Sequence, residues 1–281
     1  DIETVNAGSG AGDGADDIEH TQTAWAIQTA NNETTVGSID FTGIDTINKD
    51  NSASITDRTL AGTAGDDSFT YEGTNAISAN GITYYGIGSV NAGGQGVIGD
   101  DVQSDLTSWT IEAAANATTV GDITFTDIES INKNNSSDII DRSLTGTAGD
   151  DVFESAGTNA VTANGITYYG IGTVDALDGV SGDQLETNNS VDESFLLRAD
   201  NEIVGNGITY SDVEKMVGEA GDTLEQEGAQ FSYNLNLDTG VYTFEGIYTA
   251  GTSTVTNTGY TDTGSTDDIS FNGLATAGTE T

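Results

Sequence analysis

Residues 23–67 and 107–151 of this chain are two copies of one segment, and that self-similarity limits the possible folds more than any other feature. Trp25 maps to Trp109, Phe41 to Phe125, Arg58 to Arg142 and Asp66 to Asp150, each pair 84 residues apart. The match continues from GTNAISANGITYYGIGSV to GTNAVTANGITYYGIGTV, where Tyr84 meets Tyr168. A shorter period lies inside the longer one. The pattern Ile-x-aromatic-x-x-Ile-x-x-apolar occurs at Ile39/Phe41/Ile44/Ile47, Ile82/Tyr84/Ile87/Val90, Ile123/Phe125/Ile128/Ile131, Ile166/Tyr168/Ile171/Val174 and, with Val213 and Met216, at Ile208/Tyr210. Successive starts lie 43, 41, 43 and 42 residues apart. Partial copies sit at both ends: Ile2 and Val5 look like the tail of one, and Ile269, Phe271 and Leu274 like the head of another. That truncation leads us to expect a natural protein that continues in both directions.

A unit of this size cannot enclose a core of its own and must stack on its neighbours. β-Branched and aromatic residues, punctuated by Gly, Asn and Asp, mark many short strands rather than helices. The step of three after each aromatic suits a strand turning a corner. The expected fold is all-β: an elongated parallel β-solenoid over residues 1–228, with the five Ile-x-aromatic isoleucines buried in one row. The alternative is a series of tandem antiparallel β modules. Asn80-Gly81, Asn164-Gly165 and Asn206-Gly207 favour it, because Asn-Gly between alternating runs signals a hairpin. Residues 229–281 read differently. Phe231/Tyr233/Leu235/Leu237 alternate, Asp238-Thr239-Gly240 make a turn and Val241/Tyr242/Phe244 follow, which predicts a small antiparallel hairpin region or small sheet before the pattern resumes near Ile269.

Charge bounds the partners. Six Lys and Arg stand against 46 Asp and Glu, a net charge of −40. Nucleic acid and anionic membrane surfaces are excluded, since both need cationic neutralisation. So much carboxylate repels itself in a compact state, a strain that divalent cations relieve. There is no Cys, hence no disulfide and no thiolate metal site, and no Pro. No apolar run approaches the roughly 20 residues of a membrane-spanning helix.

Two loops carry possible chemistry. Gly62-Thr63-Ala64-Gly65-Asp66-Asp67-Ser68-Phe69-Thr70 and Gly146-Thr147-Ala148-Gly149-Asp150-Asp151-Val152-Phe153-Glu154 resemble the haemolysin-type (RTX) calcium-binding nonapeptide Gly-Gly-x-Gly-x-Asp-x-apolar-x, with Thr at the second place. Glycine allows the tight turns, and carbonyl and Asp oxygens suit hard Ca²⁺. Gly96-Val97-Ile98-Gly99-Asp100-Asp101 keeps the acid but puts Gln103 at the apolar place. Gly182-Asp183-Gln184-Leu185 and Gly221-Asp222-Thr223-Leu224 read as copies that have lost the key Asp. The resemblance implies calcium at Asp66, Asp67, Asp150, Asp151, Asp100 and Asp101. More broadly, the chain resembles repeats of giant bacterial adhesins and extracellular filaments. That likeness implies export, surface display, a structural or adhesive role, and self-association head to tail or continuation into a longer repetitive chain.

Catalytic constellations are poor, and a non-enzyme is expected. His20, the one histidine, lies in a polar stretch without a counterpart in the second copy. Lys49/Lys133 and Arg58/Arg142 are locked to the repeat, the arginines beside Asp57 and Asp141, which suggests structural pairing. Only Arg198 and Lys215 are outside it. Trp25, Trp109, Tyr84 and Tyr168 are expected in the core; Tyr85 and Tyr169 are the candidates for stacking on surface glycans. Thr34-Thr35 and Thr118-Thr119 raise the idea of an exposed, ice-binding threonine face.

Overall fold

The computed structural model describes residues 4–6, 16–49, 57–94, 99–134, 141–177, 182–187, 193–199, 202–213, 215–218, 222–226, 232–237, 240–243 and 269–272. Ile2, Gly96, Val97, Ile98, Gly221, Phe231, Asp238, Thr239, Phe244 and Leu274, named above, lie outside them. The described elements are all strands, and their parallel stacking makes a β-solenoid. The chain divides into two compact units: residues 1–138 with 164–168, and residues 139–163 with 169–281.

In the first unit, one sheet holds a three-stranded antiparallel meander, Ala24–Ile27, Glu33–Val36 and Ile39–Thr42. The chain then crosses to the opposite sheet at Thr46–Ile47, returns at Arg58–Ala61, and crosses again to begin a second meander, Ser68–Gly73, Ala76–Ala79 and Ile82–Tyr85. Three crossings are an odd number, so each new meander lands on the sheet opposite the last. The third, Ser108–Ile111, Ala117–Val120 and Ile123–Thr126, is back on the first sheet. Between meanders the coils stack in parallel. Arg58–Ala61 lies between Ala24–Ile27 and Ile87–Asn91, which pairs in turn with Ile123–Thr126. This alternation explains why the faithful repeat is 84 residues when the motif recurs about every 42.

The five Ile-x-aromatic motifs therefore do not form one row. Ile39 and Ile123 belong to one sheet of this unit, Ile82 and Ile166 to the other. Ile82, Ile123 and Ile166 are buried, whereas Ile39 and Phe41 are only half-buried. Registered columns replace the row: Trp25, Leu60, Val90 and Phe125 on one sheet, and Phe69, Val102, Ile131 and Tyr168 on the other, all buried. Phe69 and Phe125 meet across the interior, ring centroids 6.2 Å apart. Each fully buried side chain of this kind contributes about 1.5–3 kcal/mol, so the thin core gains stability coil by coil.

Both competing signals in the sequence are real. Parallel stacking joins the coils, and Asn-Gly turns the hairpins within them. Asn80 and Gly81, with φ of 47° and 82°, and Asn164 and Gly165, at 48° and 85°, have the two positive φ values of a type I′ turn. At Gly81 the need is doubled, because a Cβ there would sit 2.9 Å from Asn32 Oδ1. Asn32, Asn75 and Asn116, at the other turn of each meander, are also left-handed. Each donates its amide to a main-chain carbonyl 12 residues on: Ile44 at 3.0 Å, Ile87 at 2.9 Å and Ile128 at 3.2 Å. The corner after each aromatic is made by one left-handed residue, Gly43, Gly86 or Asp127. That residue shifts the apolar spacing from two to three.

The second unit follows the same plan. Val152–Ser155 and Ala160–Ala163 are antiparallel in one sheet; Ser194–Ala199, Glu202–Gly205 and Ile208–Ser211 form a meander in the other. Arg142–Thr145, Ile171–Asp175 and Ile208–Ser211 stack in parallel, as do Val152–Ser155, Gln184–Glu186 and Lys215–Gly218. Antiparallel pairing takes over near the C-terminus, but not as a single hairpin. Ser232–Leu237 lies between Asp222–Gln226 and Ile269–Asn272, while Gly240–Thr243 pairs with Lys215–Gly218 in the other sheet.

Arg58 also differs from expectation. Arg58 is fully buried and points at main-chain carbonyls, donating to Tyr85 O at 3.1 Å and His20 O at 3.2 Å. Asp57 reaches it only through its field: burial pulls the Arg58 pKa down, and Glu19 and Asp57 hold it up. A planar fork of donors suits a corner that gathers carbonyls. Arg142 repeats the contact on Tyr169 O at 3.3 Å.

Candidate functional site

In each unit the acidic residues singled out in the sequence lie where the chain enters a strand after a Gly-rich loop: Asp66, Asp67, Asp100 and Asp101 in the first, Asp150 and Asp151 in the second. The first glycine of each loop is there because the coils nearly touch: a Cβ on Gly62 would sit 2.0 Å from Ala92 O, and one on Gly146 2.6 Å from Ala176 O. Asp67 is buried, and its Oδ2 accepts the Thr63 amide at 2.6 Å. The Thr63 hydroxyl adds contacts of 3.1 Å to both carboxylate oxygens. Asp151 and Thr147 repeat this, with the amide contact again 2.6 Å. The Thr that breaks the nonapeptide pattern is thus the donor that satisfies its Asp. An N–H and an O–H of its own loop thus occupy part of the acceptor capacity of each carboxylate.

The next coil supplies a second acid. Asp101 pairs with Ser68 and Val102 with Phe69, so Asp100, not Asp101, is the counterpart of Asp67. Val102 fills the apolar place that Gln103 left open in the sequence alignment. Asp100 Oδ1 accepts the Asp67 amide at 2.7 Å, and Glu129 Oε2 accepts the Asp100 amide at 2.7 Å. Asp66 Oδ1 accepts the amide of Gly99 at 3.0 Å. One coil after another, an acid placed two residues before an apolar anchor holds the main chain of its neighbour by a charge-assisted bond. Asp45 holds the Asp16 amide in the same way at 3.2 Å.

The second loop has an equivalent partner that the sequence alignment missed. Asp183 Oδ1 accepts the Asp151 amide at 2.7 Å, with Gln184 opposite Val152 and Leu185 opposite Phe153. The key acid is therefore present at Gly182-Asp183-Gln184-Leu185, one place earlier than the nonapeptide template puts it. Asp-x-apolar was the legible signal there, as Glu-x-apolar was for Glu129. Asp150 lies directly over Gly182, where a Cβ would come within 2.2 Å of its Cγ.

Asp100 is the strained member of the column. It is fully buried, its Oδ2 has no hydrogen-bond partner, and its pKa is pushed up to about 7. Burial is the main cause; the charges of Glu129, Asp67 and Asp66 add to it, and the Asp67 amide opposes it. Asp101 is used differently. It accepts Ser130 Oγ at 2.9 Å and Gln103 Nε2 at 3.1 Å, and burial raises its pKa as well. Among the described residues, no group of three or more His, Asp or Glu side chains is placed to hold a metal ion.

The remaining candidates divide by burial. Trp25, Trp109, Tyr84 and Tyr168 are core residues, and Tyr85 and Tyr169 are half-buried. Thr34 and Thr118 are fully buried, which removes them from any exposed threonine face. His20 is exposed, accepts the Gln22 amide at 2.9 Å and sits edge-on to Trp25. Arg198 pairs with Glu202 at 3.8 Å, between neighbouring antiparallel strands. No protein-family model, no curated protein and no solved structure matches the chain.

Proposed function

We propose that this chain is a structural segment of an exported, surface-displayed repetitive protein, a stalk or filament element rather than an enzyme. One observation carries the reading: polar residues with chemical potential recur 84 residues apart and make the same structural contact each time. Thr63–Asp67 and Thr147–Asp151 fasten loops with equal geometry, and Arg58 and Arg142 cap equivalent carbonyls. A catalytic site is a singular arrangement; these are duplicated staples. The solenoid design suits a scaffold because a coil can be added without redesigning the others.

In this reading calcium is an associated ion, not a permanent core. It acts at the Gly-rich loops, where Asp100 Oδ2 is a carboxylate oxygen without a donor and main-chain carbonyls can supply further oxygens. Self-association occurs end to end, a heterologous contact that extends into filaments instead of closing. Light scattering of the purified chain with calcium or with chelator tests the proposal, alongside calorimetric titration of the chain and of Asp100→Asn. Calcium-dependent growth in size, with heat lost in the variant, is the expected result. A monomer at every concentration, with no heat on titration, would remove both assembly and calcium from the reading.

A further inference from the structure

One cluster in the second unit is not repeated. Ser155 ends the strand Val152–Ser155, Glu193 stands just before Ser194–Ala199, and Asn206 opens the turn between Glu202–Gly205 and Ile208–Ser211. Ser155 is fully buried and Glu193 is 4% exposed. The Ser155 hydroxyl donates to Glu193 Oε1 at 2.7 Å. Asn206 Nδ2 donates to the same Oε1 and to Ser155 Oγ, the latter at 2.9 Å. The equivalent amides behave otherwise: Asn80 donates to the Gln28 carbonyl at 2.6 Å and Asn164 to the Glu112 carbonyl at 2.7 Å. In place of Glu193, the corresponding strands Ala24–Ile27 and Ser108–Ile111 are preceded by Thr23 and Thr107. An acid buried between a hydroxyl and a carboxamide is not needed to close this turn.

We propose that Ser155, Glu193 and Asn206 form an autocatalytic cross-linking site that joins Ser155 to Asn206 through an ester. The carboxylate of Glu193 takes the proton from Ser155 Oγ as that oxygen attacks Asn206 Cγ. The new C–O bond forms, the Cγ–Nδ2 bond breaks, and Glu193 returns the proton to the departing nitrogen. One ammonia leaves and nothing is oxidised or reduced. One oxygen, Glu193 Oε1, already contacts both the nucleophile and the leaving nitrogen, which is the arrangement a proton shuttle requires. Fixed neighbours replace a bimolecular encounter, and burial keeps water from the ester once it forms. The product ties the end of a strand in one sheet of the unit to a hairpin turn of the other, a covalent staple across the coil corner.

The test is intact-mass measurement of the folded, purified chain, followed by proteolysis and sequencing of linked peptides. We expect a mass lower than the encoded one by one ammonia, and a peptide pair joined through Ser155 and Asn206. Ser155→Ala and Glu193→Gln should carry the full encoded mass while keeping the β circular-dichroism spectrum. A succinimide at an Asn-Gly turn also loses ammonia, but it would persist in Ser155→Ala and hydroxylamine would cut the main chain there. That outcome overturns the proposal, as does a folded wild-type chain of full encoded mass. Should Ser155→Ala fail to fold, the linked peptide from the wild-type chain decides the matter alone. Linkage persisting in Glu193→Gln would overturn the shuttle role.

Discussion

Replacing Asp100 by Asn tests whether the acidic column is held against its own repulsion. An acid whose pKa is higher in the folded chain than in the unfolded one favours folding only while it is protonated. Its contribution is intact below the unfolded value of 3.8 and falls as pH rises to about 7, because the folded state then holds more protons. The full shift corresponds to about 4 kcal/mol, a ceiling that solvent close to the corner reduces to about 1–3 kcal/mol. Asn keeps the shape and removes the charge, and its amide can donate toward the acids around it. Asp100→Asn should therefore match the wild type near pH 4 and exceed it by that amount at pH 8, a gain of about 2–4 °C in Tm per kcal/mol. Thermal unfolding followed by circular dichroism from pH 4 to pH 8, in low salt with chelator, reads the effect. Added calcium should narrow the gap, because a cation neutralises the wild-type corner. An unchanged or lower Tm for the variant at pH 8, or a difference independent of pH, would refute the reasoning.

Three further outcomes follow from the coil geometry. Thr147→Val removes the hydroxyl that faces Asp151 at 3.1 Å and should cost about 1–2 kcal/mol in urea unfolding, with the overall spectrum intact. Gly165→Ala forces a Cβ to within 2.7 Å of Asn116 Oδ1 at a φ of 85°, and thermal melts should show a loss of more than about 1 kcal/mol. Excising residues 58–141, which joins Asp57 to Arg142 in register, should leave a cooperative unfolding transition. Excising residues 58–99 alone puts the next strand on the wrong sheet and should abolish it.

The strand content and the stacking were legible because apolar spacing acts locally. Ile82-x-Tyr84 points two side chains to one face, and repetition demands a neighbour for each face. The turns were legible for the same reason: Asn80-Gly81 encodes its backbone conformation regardless of what surrounds it. The site was only half legible. Asp66, Asp67, Asp150 and Asp151 do sit at the Gly-rich corners, but the template misplaced Asp100 by one residue and passed over Asp183. Their equivalence to Asp67 and Asp151 exists only in the register between strands, as Val102 on Phe69 and Leu185 on Phe153.

The sequence by itself determined a coil of short strands with defined turns, an interior of isoleucine and aromatic residues, and a period of 84. Each of these is written within one unit and depends on the conformational preferences of a few adjacent residues. Tertiary structure alone decided that successive meanders take opposite sheets, because that follows from the number of crossings between them and not from any one residue. It also decided that the buried arginine serves carbonyls rather than a carboxylate, and that Ser155, Glu193 and Asn206 share one contact. These groups lie far apart along the chain, and only folding sets the distances over which hydrogen bonds and charges act.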